Sequence, residues 1–252
     1  MKCALVVSVA ILAALAGASC RQAPAPEPAS TGAQSAERGH IAGHVRLTGT
    51  PPENPAIRLR SDPMCDQANG GRPATRETVI AGADGSLANV FVQLQGSFPA
   101  MPVPTEPVVI DQRACNYSPH VVGARLGQIV RVRNSDPGLH NVHGISGTSD
   151  TFNVSQPMAG MTNDFRMKTE GIVRLQCDVH GWMLAFVGVS SHPYFAVTGA
   201  PGAFEIRDVP VGSYTIQAWH ELYGPLTLNV RVEAGRVADV DFVYSADEKR
   251  AP

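Results

Sequence analysis

The chain lacks an excess of charge of either sign. Its 20 lysines and arginines face 22 aspartates and glutamates, a formal charge of −2, so it carries no electrostatic footprint for nucleic acid, and that partner class is set aside. It lacks an apolar run that could span a bilayer: residues 4–16 are apolar, but a transmembrane helix needs roughly 20 such residues. Sustained 3.6-residue hydrophobic periodicity is missing as well, which leaves no basis for a helical fold. Cysteine is scarce, five in 252 residues. No two of them stand close together, which removes a c-type haem attachment motif.

What remains is a series of short alternating runs punctuated by 24 glycines and 20 prolines, the pattern of an all-β protein. The N-terminus reads as an export signal over residues 1–19: Met1-Lys2 is a short basic start, and the small residues Gly17-Ala18-Ser19 precede Cys20. Cleavage before Cys20 would leave it as a lipid-modified anchor; Ala16-Gly17-Ala18 also satisfies an ordinary small-x-small cleavage rule. Residues 20–38 form a Pro/Ala-rich linker that cannot bury a core. Export implies a periplasmic or extracellular protein in an oxidising compartment. There Cys65 and Cys115 most simply pair, with unpaired buried thiols as the alternative. Any membrane attachment must go through Cys20.

The chemistry concentrates in Cys177-Asp178-Val179-His180-Gly181-Trp182-Met183 and in His140, nearly forty residues upstream. Gln128-Ile129-Val130-Arg131-Val132-Arg133 alternates as a half-buried strand, and Asn134-Ser135-Asp136-Pro137-Gly138-Leu139 is a turn that ends it just before His140. A second strand, residues 172–176, delivers Cys177, and residues 185–189 leave the loop as a third. A thiolate, two imidazoles and a thioether are the donors of a blue-copper electron-transfer site: soft sulfur favours Cu(I), and imidazole tolerates both oxidation states.

At these residues the chain resembles the cupredoxins, and the spacing Cys177-x-x-His180-x-x-Met183 after Asn134 and His140-Asn141 is similar to that of amicyanin. The resemblance covers roughly residues 85–190. It implies a copper ion held by His140, Cys177 and His180, with Met183 as the axial ligand and Asn141 tying the two ligand loops together. Zinc is the competing metal, although a thioether suits it poorly. A dinuclear copper centre would need a second cysteine in the loop. A Cys–His nucleophile would need an orienting acid that the neighbourhood of Cys177 does not display.

Residues 191–245 show a second alternating pattern. Gly-x-Phe-x-Ile-x-x-Val-Pro-x-Gly-x-Tyr-Thr, ending in Trp219-His220, resembles the carboxypeptidase regulatory-like, or transthyretin-like, β-sandwich, usually a non-catalytic module. The expected architecture is thus a cupredoxin Greek-key sandwich over residues 39–190, a smaller sandwich over 191–245, and a tail over 246–252. His143 is expected to be a structural residue, and His192 with His220 is the weaker candidate for a second metal site. Trp182 is expected either to flank His180 or to pack between the two sandwiches. The expected function is one-electron transfer between redox partners, such as a cytochrome or a dehydrogenase, without enzymatic activity. Copper delivery or sensing, and a purely structural or ligand-binding role, are the alternatives.

Overall fold

The computed structural model describes residues 37–248. The expected signal peptide, Cys20, nearly all of the linker and the last four tail residues lie outside the described residues. Among the described residues, every regular element except a 3-10 turn at Leu59–Ser61 and a six-residue helix, Pro63–Ala68, is a strand. The all-β expectation is met. No helix among them is long and apolar enough to cross a membrane.

One sandwich is built from two sheets. The first runs Ser149–Gln156, His140–Ser146, Gly171–Gln176, Leu184–Ser190, Val121–Arg125; the second runs Thr162–Arg166, Ile129–Asn134, Val108–Arg113, Asn116–Ser118. Alternation places the side chains: in Ile129–Asn134 the residues Val130, Val132 and Asn134 point inward and are buried. They meet Ile110, Tyr117, Val142 and Leu175 in a core that also contains Cys177 and Met183. The strands Ser149–Gln156 and Thr162–Arg166 carry only a weak signal, the alternating Phe152 and Val154 in one and Phe165 in the other, which pack on the core. Both are sheet edges and otherwise largely exposed and polar.

The second sandwich corrects the expected division at residue 190. Phe195–Val197, Gly212–His220 and Gly224–Val232 share a sheet with Phe91–Gln95, while Ala203–Pro210, Val237–Asp239 and Phe242–Ser245 pair with Arg38–Thr48. The strands Arg38–Thr48 and Phe91–Gln95, expected within the 39–190 sandwich, therefore belong with residues 195–245, and one hydrophobic core joins them through Ile41, Val45, Leu94, Ile216 and Phe242. Period-two alternation tells which face of a strand is buried and not which strand lies beside it.

Phe91, Phe186, Val121 and Trp219 form a separate apolar cluster where the sandwiches meet. The meeting is possible because Gly123 and Gly188, paired in register, leave room for aromatic rings. A Cβ on Gly188 would lie 2.4 Å from the Phe91 ring, and one on Gly123 2.4 Å from the Phe195 ring. Trp219, not Trp182, occupies this junction.

Gly188→Ala should therefore lower stability by about 1–3 kcal/mol through overpacking, read as a lower urea midpoint with unchanged slope. His220 is fully buried, and burial, with the nearby His120 as the smaller cause, pushes it down to about 4. The unfolded chain binds a proton below about 6.5 while the folded one does not until about 4. Stability should thus fall as pH drops through that window, by roughly 3 kcal/mol in total. Urea titrations across it should show the slope flattened in His220→Asn, whose side-chain oxygen can still accept the Leu222 N–H now held by His220 Nδ1.

Candidate metal centre

Two turns deliver the donors. The strand Gly171–Gln176 runs directly into Cys177, and the loop returns into Leu184–Ser190 after Met183. It is closed by Cys177 N donating to Met183 O at 3.2 Å and Met183 N donating to His180 O at 2.9 Å. The other turn is wound around Asn134, whose Nδ2 donates to Gly138 O at 2.8 Å and whose Oδ1 accepts from Asp136 N at 2.9 Å. His140 follows as the first residue of its strand. Tyr117 ties the two together from below: its hydroxyl donates to Asn141 O at 2.9 Å and lies 3.2 Å from Gln176 O. Burial raises the pKa of this phenol, so it stays a donor.

His140 Nδ1 lies 3.0 Å from His180 Nδ1, and Cys177 Sγ lies 4.0 and 3.8 Å from these two nitrogens. Metal–nitrogen bonds of about 2.0 Å and metal–sulfur bonds of about 2.3 Å, as for zinc, allow one ion to bridge separations up to about 4.3 Å between nitrogen and sulfur. All three donors fit around a single ion. They are 0, 1 and 3% exposed for His140, Cys177 and His180, and Met183 is fully buried in the same core. Cys177 is a free thiol.

Each imidazole is held by its outer nitrogen. Asp136 Oδ2 accepts from His140 Nε2 at 3.0 Å, and Asp62 Oδ2 accepts from His180 Nε2 at 3.0 Å. Both carboxylates are themselves fixed by backbone N–H groups. Asp136 takes those of Ala114 and Cys115, two non-glycine residues at positive φ in the tight turn between Val108–Arg113 and Asn116–Ser118. Asp62 caps the helix Pro63–Ala68 by accepting from Met64 and Cys65. Burial opposes charge on His140, but Asp136 and the Cys177 thiolate outweigh it and raise His140 to about 9. Burial likewise opposes the Cys177 thiolate, and His140 with the backbone N–H groups around the sulfur brings it down to about 7. Asp136 and Asp62 are held below the ordinary carboxylate range. For Asp136, burial works against the shift and the His140 hydrogen bond drives it; for Asp62 the hydrogen bond from His180 is the largest cause.

Neither aspartate was singled out in the sequence. Asp136 had a signal, a turn residue four positions before His140; Asp62, 118 residues from His180, had none that pointed to the imidazole. The helix it caps was also missed, although Asp62-Pro63 is an N-terminus signature.

Asn141 Oδ1 accepts from Asp178 N at 2.6 Å and its Nδ2 donates to Asp178 Oδ2 at 2.9 Å, linking the two turns. His143 lies outside the donor group: it bonds Asp178 and Asp150, each at 3.0 Å. Asp178 is held well below the ordinary carboxylate range, chiefly by His143 and Gln176. His192 packs on Leu94 O and Ser190, and no group of candidate ligands among the described residues joins it to His220. Cys65 and Cys115 form a disulfide. Cys65 Sγ stands 3.5 Å from His180 Nε2, and the Trp182 ring lies 5.2 Å from that of His180 while its Nε1 donates to Cys115 O.

Solved structures similar to this chain include a purple cupredoxin from Nitrosopumilus maritimus, 22% identical over 33% of this chain and 99% of its own, with a TM-score of 0.29. A Cu(I) form of an amicyanin mutant is 20% identical over 39% of this chain and 98% of its own, TM-score 0.30. A copper-containing nitrite reductase from Thermus scotoductus SA-01 is 17% identical over 38% of this chain and 25% of its own, TM-score 0.30. No family model and no curated protein matches the chain.

Asp136→Asn keeps an acceptor for the turn but removes the charge behind His140. It should weaken metal binding by about 10–100-fold, measured by competition against a Cu(I) chelator of known affinity.

Proposed function

We propose that this chain is an exported mononuclear copper protein that carries one electron at a time between redox partners. The observation that carries the reading is the convergence of His140 Nδ1, His180 Nδ1 and Cys177 Sγ within 4.0 Å of one another in a buried setting. Two imidazoles and one thiolate, with Met183 on the same loop, favour copper over zinc because a thioether suits the softer ion. Bound there, copper would alternate between Cu(II) and Cu(I) and so supply the one-electron chemistry.

The chain's own groups do the rest. Cys177 gives up its proton near neutral pH. Asp136 and Asp62 occupy the outer imidazole nitrogens, so both Nδ1 atoms face inward, and an ion bound there would displace the proton that His140 holds. Loops pinned by Asn134, Asn141 and Tyr117 keep the donors in place whichever charge the ion carries. With every donor residue buried, there is no open face for a substrate, which supports a carrier over a catalyst. The Asp62 and Cys65 side chains beside His180 favour retention of the ion over its delivery.

The disulfide and the N-terminal signal pattern support a periplasmic or extracellular setting, and Cys20 is the proposed point of any lipid anchor. The proposed partner is a redox protein of the cytochrome or dehydrogenase kind.

Copper-loaded, oxidised protein should show an intense thiolate-to-copper band in the orange-red and the EPR signal of a single Cu(II). Cys177→Ser should lose the band while keeping the fold. Stoichiometric copper with no such band under oxidant would sink the electron-carrier reading.

A further inference from the structure

The end of the sandwich that holds His140, Cys177 and His180 is roofed by residues 56–76. Met64 packs against Gly138 in the turn before His140, at a spacing that would put a Cβ there 2.5 Å from Met64 Cε. Asp62 and Cys65 cover His180, and an Arg76 guanidinium nitrogen lies 3.4 Å from Gly181 O in the ligand loop. His180 is 3% exposed, whereas the side chain of Asp62, in contact with it, is 33% exposed. Asp62 is thus a point where a group bonded to the candidate centre meets solvent.

Residues 56–76 hold four arginines and two aspartates, balanced by Glu53 and Glu77 just outside them, so the positive charge is local. A groove of about 490 Å³ is lined by Arg58, Arg60 and Arg72 against the single carboxylate of Asp66. Arg58 and Arg60 are exposed, and among the described residues neither guanidinium has an ion-pair partner. Ser61 lines the same groove and is bonded through the chain to Asp62. The flank of the ligand loop beyond Asn141 has the opposite character: Asp178 and Asp150, 42 and 73% exposed, share the one imidazole of His143.

We propose that electrons enter and leave through the roof by way of Asp62 and His180, and that its arginine-lined groove docks a redox protein presenting an acidic surface. This rests on the electron-carrier reading. The guanidinium groups of a groove whose lining reaches Ser61, next to Asp62 in the chain, attract such a surface and speed encounter by electrostatic steering, and the Asp178–Asp150 flank repels it.

The test uses the full, copper-loaded, reduced chain in stopped-flow oxidation. The probes are hexacyanoferrate(III), as a small polyanion, and a cytochrome c of basic surface in its ferric form. In each case Cu(I) gives one electron to Fe(III), forming Cu(II) and Fe(II). Wild type should react rapidly with hexacyanoferrate(III), and the rate should fall as salt rises. The triple variant Arg58→Glu/Arg60→Glu/Arg72→Glu should be slower by about tenfold or more, with the salt dependence reversed and the absorption band unchanged. It should also react faster than wild type with the cytochrome. If the triple variant proves unstable, the single change Arg60→Gln should show the same signs with smaller amplitude. Wild-type rates in the variants, or slowing produced only by Val179→Glu on the exposed ligand loop, would overturn the roof route. A copper-loaded protein that lacks the thiolate band and does not exchange one electron overturns the underlying reading, and the docking proposal falls with it.

Discussion

Two imidazoles can present Nδ1 to one point only if their other nitrogens are claimed elsewhere, and two buried or half-buried carboxylates make that claim. Charge-assisted hydrogen bonds of this kind are worth about 1.5–3 kcal/mol each, enough to fix ring orientation and tautomer. Each carboxylate is in turn immobilised: Asp136 by the two N–H groups of a left-handed turn at Ala114 and Cys115, Asp62 by the first turn of a short helix. The disulfide joins those two segments, because Cys115 sits in that turn and Cys65 in that helix. A cross-link closing a loop of this length stabilises by roughly 4 kcal/mol in the chain-entropy picture. The bond between Cys65 and Cys115 therefore holds both braces, and through them both imidazoles, in one frame.

The cluster of His140, Cys177 and His180 was legible because local chemistry writes it plainly. Cys177, His180 and Met183 fall on one loop between two strands, and His140 follows a turn whose residues end a strand. What could not be read was any feature that depends on two distant segments meeting. Asp62 reaches His180 across 118 positions, and no local pattern records that. The roof over residues 56–76 offers only short runs broken by glycine and proline, which describes its backbone but not what it covers. In the same way, Arg38–Thr48 and Phe91–Gln95 looked like the opening strands of the copper domain because they precede it. Their inward faces fit a core equally well on either side, and pairing with Ala203–Pro210 and Gly212–His220 decided the matter. An edge strand such as Ser149–Gln156 is faint for the opposite reason: its alternation rests on Phe152 and Val154 alone among polar neighbours.

The second sandwich bears on the centre through the strand that leaves it. Leu184–Ser190 has six consecutive buried residues after Leu184, the signature of a strand covered on both faces rather than alternating between core and water. Ala185 and Val187 point into the core that holds Cys177 and Met183, while Phe186 and Gly188 face Phe91 and Trp219 of the other sandwich. A strand clamped this way cannot tilt without disturbing two cores at once, and interiors packed at crystal-like density resist that. Met183 and the strand Gly171–Gln176, paired along its length with Leu184–Ser190, inherit the constraint. Rigidity is what the proposed one-electron site would need if its donors are to stay put across two oxidation states. The carboxylates fix the imidazoles from the solvent side, and the joined sandwiches fix the sulfur-bearing loop from behind.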